Sequence, residues 1–250
     1  MRIAVAGGTG TVGRHVTRIA REAGHDVAVL ARATGVNVLT GDGVAGALAG
    51  AEAVIDVTSI MTLSEKKALA FFEAGTRTLL DAEAQVGVAH HVALSIVGID
   101  GIDTAYYAAK LAQERAVAAG SIPHTIVRAA QFHEFAGQVL AQIAGHFAVA
   151  PRTLMRPVAA REVAAHVVRV AEAGPVGRAQ DLVGPRDETL ADVTRRQLAF
   201  DGIRRRVLDV RLPGSYGKGL ASGALRGGPD ALQGEIVFDE WLRSPDHARG

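Results

Sequence analysis

The sequence predicts an α/β protein built on a doubly wound parallel sheet, and three observations support this prediction. The first is an N-terminal apolar run, 2–6, that breaks into a glycine-rich turn and then into a helical pattern. The second is the alternation of short apolar runs with amphipathic helical runs, which is typical of a parallel sheet with helices on both faces. The third is that the apolar runs contain few polar residues, as expected when both faces of a strand are buried.

The individual elements follow from local pattern. Short runs of apolar and β-branched residues predict strands, whereas apolar residues spaced by three and four predict helices. The predicted strands are 2–6, 26–31, 36–39, 53–57, 91–95, 125–128 and 181–183. The predicted helices are 13–23, 63–86, 106–119, 132–144, 161–173 and 190–198. Because crossovers between parallel strands are right-handed, this order gives a doubly wound sheet.

The N-terminal turn is the strongest sign of a ligand. Its residues fit both Gly7-x-x-Gly10-x-x-Gly13 and Gly8-x-Gly10-x-x-Gly13. Such a turn lets backbone N–H groups approach a pyrophosphate, and the helix that follows adds free donors and the positive end of its dipole. We therefore predict a Rossmann-type dinucleotide site, and the alternative is a purely structural tight turn. The candidate cofactor-binding residues of the turn are Gly7, Thr9, Gly10, Thr11, Val12 and Gly13.

The pattern changes near residue 150, which predicts two parts of the chain. The segment 150–157 has no period and predicts irregular structure, and the glycine-rich segment 213–219 predicts a loop. We predict a dinucleotide-binding domain over 1–150 and a small C-terminal substrate lobe over 151–250, packed over the carboxyl edge of the sheet. Part of 156–185 is expected to return to the Rossmann core.

Composition excludes several classes of function. The 250 residues include no cysteine, which excludes disulfides, thiolate metal sites and cysteine nucleophiles. A net charge of +1 gives no electrostatic case for binding nucleic acid or an anionic membrane, and the basic run 204–206 is interpreted as a solvated face. The histidines lack the spacing of metal ligands. We expect a small-molecule substrate, no metal, and a monomer or a homodimer.

Two features predict a cytoplasmic protein. The first predicted strand begins at residue 2, which leaves no room for a signal peptide. The longest apolar-rich stretch, 132–150, is interrupted by polar residues such as His133 and Glu134, so it predicts an amphipathic helix and not a membrane span.

The residue after the second predicted strand favours NADP(H) over NAD. Dinucleotide sites of this kind place a carboxylate near the end of that strand to bind a ribose hydroxyl, or an arginine to bind a 2′-phosphate. Here Arg32 follows strand 26–31, while Asp26 lies at its opposite end. A guanidinium can chelate a phosphate that a carboxylate would repel. The alternative is that Arg32 is a solvated arginine at a strand end.

Two other strand ends supply candidate cofactor contacts, because ligands lie outside the carboxyl ends of parallel strands. Asp42 follows predicted strand 36–39 and could accept a hydrogen bond from the adenine amino group, although it could equally be a simple turn residue. Thr58 and Ser59 follow predicted strand 53–57 and are expected to lie along the cofactor.

Three residues form a candidate hydride-transfer site. Ser95 ends predicted strand 91–95, and Tyr106 and Lys110 follow at the head of a helix, four residues apart and therefore on one helical face. A nearby ammonium should lower the pKa of Tyr106 toward the range of an acid–base catalyst, and Ser95 could bind the substrate oxygen. Alternatively, Tyr106 and Lys110 are an ordinary helix pair. Tyr107 competes with Tyr106 for the position beside the substrate.

Together these residues resemble the short-chain dehydrogenase/reductase superfamily, and in particular its atypical, NmrA-like NAD(P)-binding branch. The glycine turn is similar to the spacing of that branch, as are three motifs in the middle of the chain. These motifs are Ser95-Ile-Val-Gly-Ile-Asp100, Tyr106-Tyr-Ala-Ala-Lys110 and Ile126-Val-Arg-Ala-Ala-Gln-Phe-His133. The segment Arg161-Glu-Val-Ala-Ala165 resembles a short helix that returns to the core in these proteins. The resemblance covers most of the chain and is weakest after Gly202.

The resemblance implies roles for particular residues. Arg32 would bind the 2′-phosphate, Thr58 and Ser59 would lie near the ribose and nicotinamide half, and Lys110 would bond the nicotinamide ribose. His133 would face the substrate cavity, unless it is a capping or core histidine. The segment that would border the nicotinamide comprises Ala129, Ala130, Gln131 and Phe132.

The function implied is an NADP(H)-dependent oxidoreductase that reduces a small organic carbonyl, quinone or enone by hydride transfer. In that reaction Tyr106 would supply the proton, Lys110 would tune Tyr106, and Ser95 would orient the acceptor oxygen. Two alternatives stay open. One is a non-catalytic NADP-sensing regulatory protein of NmrA type, and the other is an NAD(P)-dependent epimerase or dehydratase.

Overall fold

A computed structural model describes residues 1–62, 64–102, 104–142 and 145–247. The chain divides into two compact units. The first unit comprises Met1–Ser95, Thr104–Arg128 and Arg161–Ala179. The second unit comprises 96–103, Ala129–Ala160 and Gln180–Gly250.

The strands and helices are numbered in chain order. The strands are β1 (Arg2–Ala6), β2 (Asp26–Leu30), β3 (Ala53–Asp56), β4 (His90–Ile96), β5 (His124–Ala129), β6 (Phe147–Pro151), β7 (Leu154–Met155), β8 (Gly177–Arg178), β9 (Leu182–Val183), β10 (Glu188–Thr189), β11 (Arg206–Val210) and β12 (Leu232–Gln233). The helices are α1 (Gly13–Glu22), α2 (Val44–Leu48), α3 (Glu65–Val86), α4 (Ala105–Ala119), α5 (Phe135–Gln142), α6 (Ala160–Ala173), α7 (Leu190–Phe200), α8 (Gly214–Ala221) and α9 (Phe238–Leu242).

The central sheet follows the strand order β12-β9-β5-β4-β3-β1-β2, and β8 also pairs with β5. The pairings of β1 with β2 and with β3 are parallel, as is that of β3 with β4. The chain therefore runs from β1 to β2 in one direction and from β3 to β5 in the other, which is a topological switch point at the carboxyl ends of β1 and β3. The predicted doubly wound, Rossmann-type α/β architecture is confirmed.

The first unit is built on buried apolar strands and on helices that present apolar faces to them. Ala4, Leu30 and Val54 on the strands pack with Leu48 of α2 and Leu79 of α3 in one core cluster. Burial of a Leu or Val side chain stabilises a fold by about 1.5–3 kcal/mol. This packing fixes the carboxyl ends of β1 and β3, where the candidate site lies.

The second unit contains two small sheets. β6 pairs with β11 in parallel, and β7 pairs with β10 antiparallel. Its core cluster includes Met155, Leu190, Phe238 and Trp241, all at most 2% exposed.

The prediction of a strand over 36–39 is wrong. Asn37 N–H donates to the Asp42 carbonyl, and Gly41 N–H donates to the Asn37 carbonyl, so the backbone closes a local turn. Gly41 has φ +86°, a left-handed conformation that a strand does not contain. Val36 and Val38 nevertheless pack on the core of the first unit, which explains their apolar character.

Several features of the C-terminal part also differ from prediction. The segment 150–157 is not irregular, because it contains the end of β6 and all of β7. The segment 213–219 is not a loop, because α8 begins at Gly214. In that helix a Cβ at Gly217 would lie 1.9 Å from the Leu212 carbonyl oxygen, so the glycine permits close packing. The run 204–206 is only partly a solvated face, since Arg205 donates to the carbonyls of Leu140 and Phe147.

Other helix boundaries shift by a few residues. The helix predicted over 132–144 begins at Phe135, and residues 143 and 144 lie outside the described residues. The helix predicted from residue 63 begins at Glu65, after the N-cap Ser64, and residue 63 also lies outside the described residues. Within the part of the chain that the structure describes, no helix combines the length and apolar character needed to cross a membrane.

Candidate functional site

The glycine turn connects β1 to α1, and it requires glycine at several positions, either for a positive φ or for lack of space. Gly7 has φ +79°, and its N–H donates to the Leu30 carbonyl at 3.0 Å. A Cβ at Gly13 would lie 2.0 Å from the Gly7 carbonyl oxygen, and one at Gly8 would lie 2.9 Å from Val29 Cγ1. The turn is therefore packed backbone against backbone, so there is no room for side chains at these glycines.

The start of α1 carries no group that would compete with an anion. The N-cap residue, Val12, makes no side-chain capping bond, and the first turn contains no acidic residue. The first N–H groups of a helix lack intrahelical partners and form the positive end of its dipole. Thr9 and Gly10 are exposed beside this helix start, whereas Val12 and Gly13 are buried. The helix start can therefore receive a phosphate group.

The loop after β3 lies directly beside the glycine turn. A Cβ at Gly7 would lie 3.0 Å from the Val57 carbonyl oxygen and 3.1 Å from Thr58 Cα. The buried Asp56 carboxylate accepts a 2.8 Å hydrogen bond from Thr58 N–H, which fixes the start of this loop. Thr58 and Ser59 thus lie at the switch point, next to the turn predicted to hold the pyrophosphate.

Arg32 opens a short 3-10 helix, Arg32–Thr34, directly after β2. Thr34 closes this turn, because its Oγ accepts from Ala31 N–H at 3.1 Å and donates to the Val29 carbonyl at 2.8 Å. The Arg32 side chain is exposed, and within the described residues it has no hydrogen-bond or ion-pair partner. Its guanidinium is therefore available to a ligand.

Asp42 loses the basis on which it was predicted to bind adenine, since no strand precedes it. Its carboxylate accepts a hydrogen bond from Thr40 Oγ, and its carbonyl accepts from Asn37 N–H. The structure favours the interpretation of Asp42 as a turn residue.

Tyr106 lies in the first turn of α4, and its hydroxyl reaches the loop after β3. The Tyr106 Oη is 2.9 Å from Ser59 Oγ, and its ring packs edge-on against Phe72 with centroids 5.6 Å apart. Tyr107 is only 8% exposed and packs within the interior. The geometry therefore favours Tyr106 over Tyr107 as the residue beside a ligand at the switch point.

The backbone before Tyr106 is unusual. Among the described residues, Ala105 is the one non-glycine residue with positive φ, at +54°. Its N–H donates to the Glu65 carboxylate at the start of α3. A left-handed alanine costs roughly 1 kcal/mol or more, and such strain is common at functional sites.

The pKa of Tyr106 is raised, contrary to the sequence prediction. Burial is the main cause and the charge of Asp56 adds to it, while the hydrogen bond with Ser59 opposes the rise. Lys110 does not lower the pKa of Tyr106, because its ammonium is bound elsewhere. Its Nζ donates to the Leu94 carbonyl at 2.7 Å and to Gln113 Oε1, and it lies 4.6 Å from the centroid of the Phe72 ring. Tyr106 thus remains a protonated phenol at neutral pH.

Lys110 itself is a buried ammonium, only 4% exposed. Burial lowers its pKa to about 8, while the charges of Asp56 and Glu114 oppose this shift. Asp56 and Gln113 were not predicted from the sequence. The available signal was a carboxylate at the end of an otherwise apolar strand and a glutamine three residues after the candidate lysine.

Ser95, near the end of β4, is 3% exposed. Its hydroxyl has no hydrogen-bond partner within the described residues, so it is not joined to Tyr106 or Lys110. Buried hydroxyls are rarely left without a partner, which makes Ser95 a candidate ligand contact.

The candidate nicotinamide segment begins at Ala129, the last residue of β5, and belongs to the second unit. Ala130 N–H donates to the Leu182 carbonyl, and the Gln131 carbonyl accepts from Val158 N–H. The Gln131 side chain is 9% exposed, and its amide oxygen and nitrogen have no partner within the described residues. Phe132 is half-buried.

His133 belongs to the core of the second unit. Its Nε2 lies 2.9 Å from the Ile236 carbonyl oxygen, and its ring packs against Phe238 and Trp241 with centroids 5.4 and 5.8 Å apart. These contacts favour the core interpretation over a role in a substrate cavity. Among the described residues, no group of three His, Asp or Glu side chains could hold a metal ion.

The sequence was also compared with known families and structures. A family model described as NAD(P)H-binding matches residues 7–173, which is more than half of the chain and begins at the glycine turn. The chain belongs to the NAD(P)H-binding family. None of the curated proteins compared with it matches.

Solved structures with the same fold include proteins described as reductases, dehydrogenases and epimerases. One is an NADPH-dependent quinone oxidoreductase from Escherichia coli, in complex with NADPH, which is 18% identical with a TM-score of 0.71. The alignment covers 99% of this chain and 100% of the chain of that oxidoreductase. A second is a short-chain dehydrogenase/reductase superfamily protein from Agrobacterium tumefaciens, with bound NAD, which is 18% identical with a TM-score of 0.70. The alignment covers 100% of this chain and 97% of the chain of that protein. A third is a nucleoside-diphosphate-sugar epimerase from Staphylococcus aureus, which is 16% identical with a TM-score of 0.69. The alignment covers 98% of this chain and 100% of the chain of that epimerase.

The family match confirms the predicted NAD(P)-binding family, and the solved structures confirm the fold that the resemblance to short-chain dehydrogenases/reductases implied. The NmrA-like branch stays a prediction. The geometry of the glycine turn is suited to NAD(P)H, the cofactor that this family binds. The uncapped start of α1 and the tight backbone packing that Gly13 permits within the turn suit a pyrophosphate, and the exposed Arg32 suits a 2′-phosphate.

Proposed function

We propose that this protein is an NADPH-dependent oxidoreductase that reduces a small organic carbonyl, quinone or enone. The observation that carries the proposal is the hydrogen bond between Tyr106 and Ser59, which brings a protonated phenol to the loop beside the glycine turn. A proton donor at the switch point of a dinucleotide site is what a hydride-transfer reaction requires.

When bound, NADPH would supply the hydride that the acceptor carbon receives. Tyr106 donates its phenolic proton to the acceptor oxygen, so hydride and proton together complete a two-electron reduction. The raised pKa of Tyr106 suits this direction, because the residue holds its proton until the oxygen becomes basic. Ser59 is exposed and shares a hydrogen bond with Tyr106, so its hydroxyl can return a proton from solvent.

The remaining residues bind and orient. The Ser95 hydroxyl, which has no partner among the described residues, can bind the acceptor oxygen, and Lys110 is a buried ammonium on the same helix as Tyr106. Gly7, Gly10 and Gly13 hold the pyrophosphate, while Arg32 selects NADPH by binding its 2′-phosphate.

The test compares Tyr106→Phe with wild type and with the matched control Tyr107→Phe. NADPH oxidation is followed with a panel of quinones, enones and ketones, and NADPH affinity is measured separately. We expect Tyr106→Phe to lower kcat by about 10²-fold or more, as for the loss of a general acid, with little change in NADPH affinity. Tyr107→Phe should retain turnover.

Other outcomes contradict the proposal in different ways. Tight NADPH binding without oxidation by any acceptor would identify a cofactor sensor. Conversion of a sugar nucleotide without net NADPH consumption would identify an epimerase or dehydratase. Full turnover in Tyr106→Phe would remove Tyr106 from the mechanism.

A further inference from the structure

A buried chain of polar groups links α4 to the loop after β3. Gln113 Oε1 accepts a hydrogen bond from Lys110 Nζ, and Gln113 Nε2 donates to Asp56 Oδ2 at 2.9 Å. The other oxygen of Asp56 accepts from Thr58 N–H at 2.8 Å. The side chains of Lys110, Gln113 and Asp56 are at most 4% exposed. The links from Lys110 to Gln113 and from Gln113 to Asp56 are thus shielded from water, while the link to Thr58 is partly buried.

We propose that Asp56 and Gln113 are positioning residues that keep Lys110 charged and hold it at a fixed distance from the loop that carries Ser59. The effect on turnover rests on the proposed reductase function, whereas the effect on Lys110 does not.

The chemistry of the chain allows only one orientation of Gln113. An ammonium has only donors, so it requires the amide oxygen, and a carboxylate has only acceptors, so it requires the amide nitrogen. A single glutamine can therefore bridge the two charges. An apolar side chain at this position would leave one N–H of the buried ammonium and Oδ2 of the buried carboxylate orphaned, although the Leu94 carbonyl and Thr58 N–H would still bond these two groups. Such orphaned groups are costly, which explains why a polar residue occupies the interior here.

The charge on Asp56 opposes the effect of burial on Lys110. Burial lowers the pKa of Lys110 to about 8, and the carboxylates of Asp56 and Glu114 act in the opposite direction, Asp56 more strongly. Glu114 is engaged by a bidentate ion pair with Arg128 of β5, with N–O distances of 2.8 and 2.6 Å. Its field at Lys110 is therefore largely compensated, and Asp56 is the main support of the ammonium.

Further titratable groups lie near the chain on neighbouring elements. Glu83 of α3 and His91 of β4 form a fully buried pair, with Nδ1 2.8 Å from Oε1, and both respond to the charge of Asp56. The ammonium also contacts two uncharged groups, the Leu94 carbonyl of β4 and the ring of Phe72 on α3. Substitutions at Asp56 are thus expected to act on Lys110 and His91 together, while substitutions at Gln113 act on Lys110 alone.

The titration of Lys110 can be followed directly, because the chain contains only four lysines. Protein labelled with ¹³Cε-lysine gives one signal for each, and Lys66, Lys67 and Lys218 are exposed. In the cofactor-free wild type we expect the Lys110 signal to titrate near pH 8. Loss of one signal in Lys110→Met assigns it.

Two variants remove groups that stabilise the charged form of Lys110, each in a different way. Asp56→Asn removes the charge, and Gln113→Met replaces the bridging amide by an apolar side chain of similar volume. Each should lower the midpoint of Lys110 by about one pH unit or more, which is a tenfold change in its proton affinity. The matched control is Asp26→Asn, an exposed carboxylate at the start of β2, which should leave the midpoint unchanged. Glu114→Gln should shift it less than Asp56→Asn.

The pH profile of NADPH oxidation then links this effect to the reaction. Its alkaline limb should move to lower pH in Asp56→Asn and Gln113→Met by the same amount as the Lys110 midpoint. A merely structural role would lower stability without moving either quantity. An unchanged midpoint in folded Gln113→Met overturns the proposal, even if Asp56→Asn fails to fold. Shifted midpoints in a protein that reduces no acceptor would leave the positioning role standing and refute the reductase function alone.

Discussion

The close approach at Gly13 allows a sharp test of the pyrophosphate site. A Cβ at this position would lie 2.0 Å from the Gly7 carbonyl oxygen and 2.7 Å from Gly8 Cα, against an ordinary contact distance of at least 3.4 Å. Both neighbours are backbone atoms of the turn itself, so Gly13→Ala must move the turn by about an ångström. The donors that face a phosphate would move with it.

The expected cost has two parts. Overpacking of this kind lowers stability by about 1–3 kcal/mol, which for a chain of this length lowers the Tm by roughly 2–12 °C. Loss of one hydrogen bond to a charged phosphate costs a further 1.5–3 kcal/mol of binding free energy, or a roughly tenfold to hundredfold weaker Kd. Gly46→Ala is the matched control, because Gly46 lies within α2 and a Cβ there would meet no atom within 4 Å.

Calorimetric titration with NADPH and thermal denaturation separate these effects. We expect Gly13→Ala to bind NADPH at least about tenfold more weakly, and Gly46→Ala to bind it like wild type. A Gly13→Ala protein with a lower Tm but an unchanged Kd for NADPH would show that the turn is a structural feature and that the cofactor binds elsewhere.

Two other substitutions test neighbouring features. Arg32→Ala should weaken NADPH binding by about tenfold or more while leaving the Kd for NADH unchanged, because only NADPH carries the 2′-phosphate; an unchanged preference for NADPH would exclude Arg32 as its cause. Ala105→Gly should raise the free energy of unfolding by about 1 kcal/mol, measured by urea denaturation, because glycine adopts the observed φ of +54° without strain. A loss of stability in Ala105→Gly would contradict the assignment of strain to this residue.

The sequence was sufficient to predict the sheet and the glycine turn because both depend on local pattern. The apolar runs at β1 and β3 and the glycines of the turn have a physical reason that is visible in a few adjacent residues. The segment 36–39 was mispredicted for an equally physical reason. Val36 and Val38 are apolar because they pack on the core, but the flanking glycines force a turn that cannot join the sheet.

The candidate site was predicted less completely, because its contacts join residues distant in the chain. Tyr106 and Lys110 share a helical face, yet the hydroxyl of Tyr106 bonds Ser59, 47 residues earlier, and the ammonium of Lys110 bonds Leu94 and Gln113. Spacing along a helix shows which residues can meet, but it does not show which partner a buried ammonium prefers. The role of Asp56 was missed for the same reason, since its partner Gln113 is 57 residues away.

The contact between Ser59 and Tyr106 has a thermodynamic consequence. The loop that carries Ser59 also lies against Gly7, so one short segment contacts both the dinucleotide turn and the phenol. A ligand that alters the position of this loop must change the proton affinity of Tyr106, and by linkage the ionisation of Tyr106 must change the affinity for that ligand by the same factor. Cofactor binding measured across the pH range therefore also reports the ionisation of the phenol, without any substrate present.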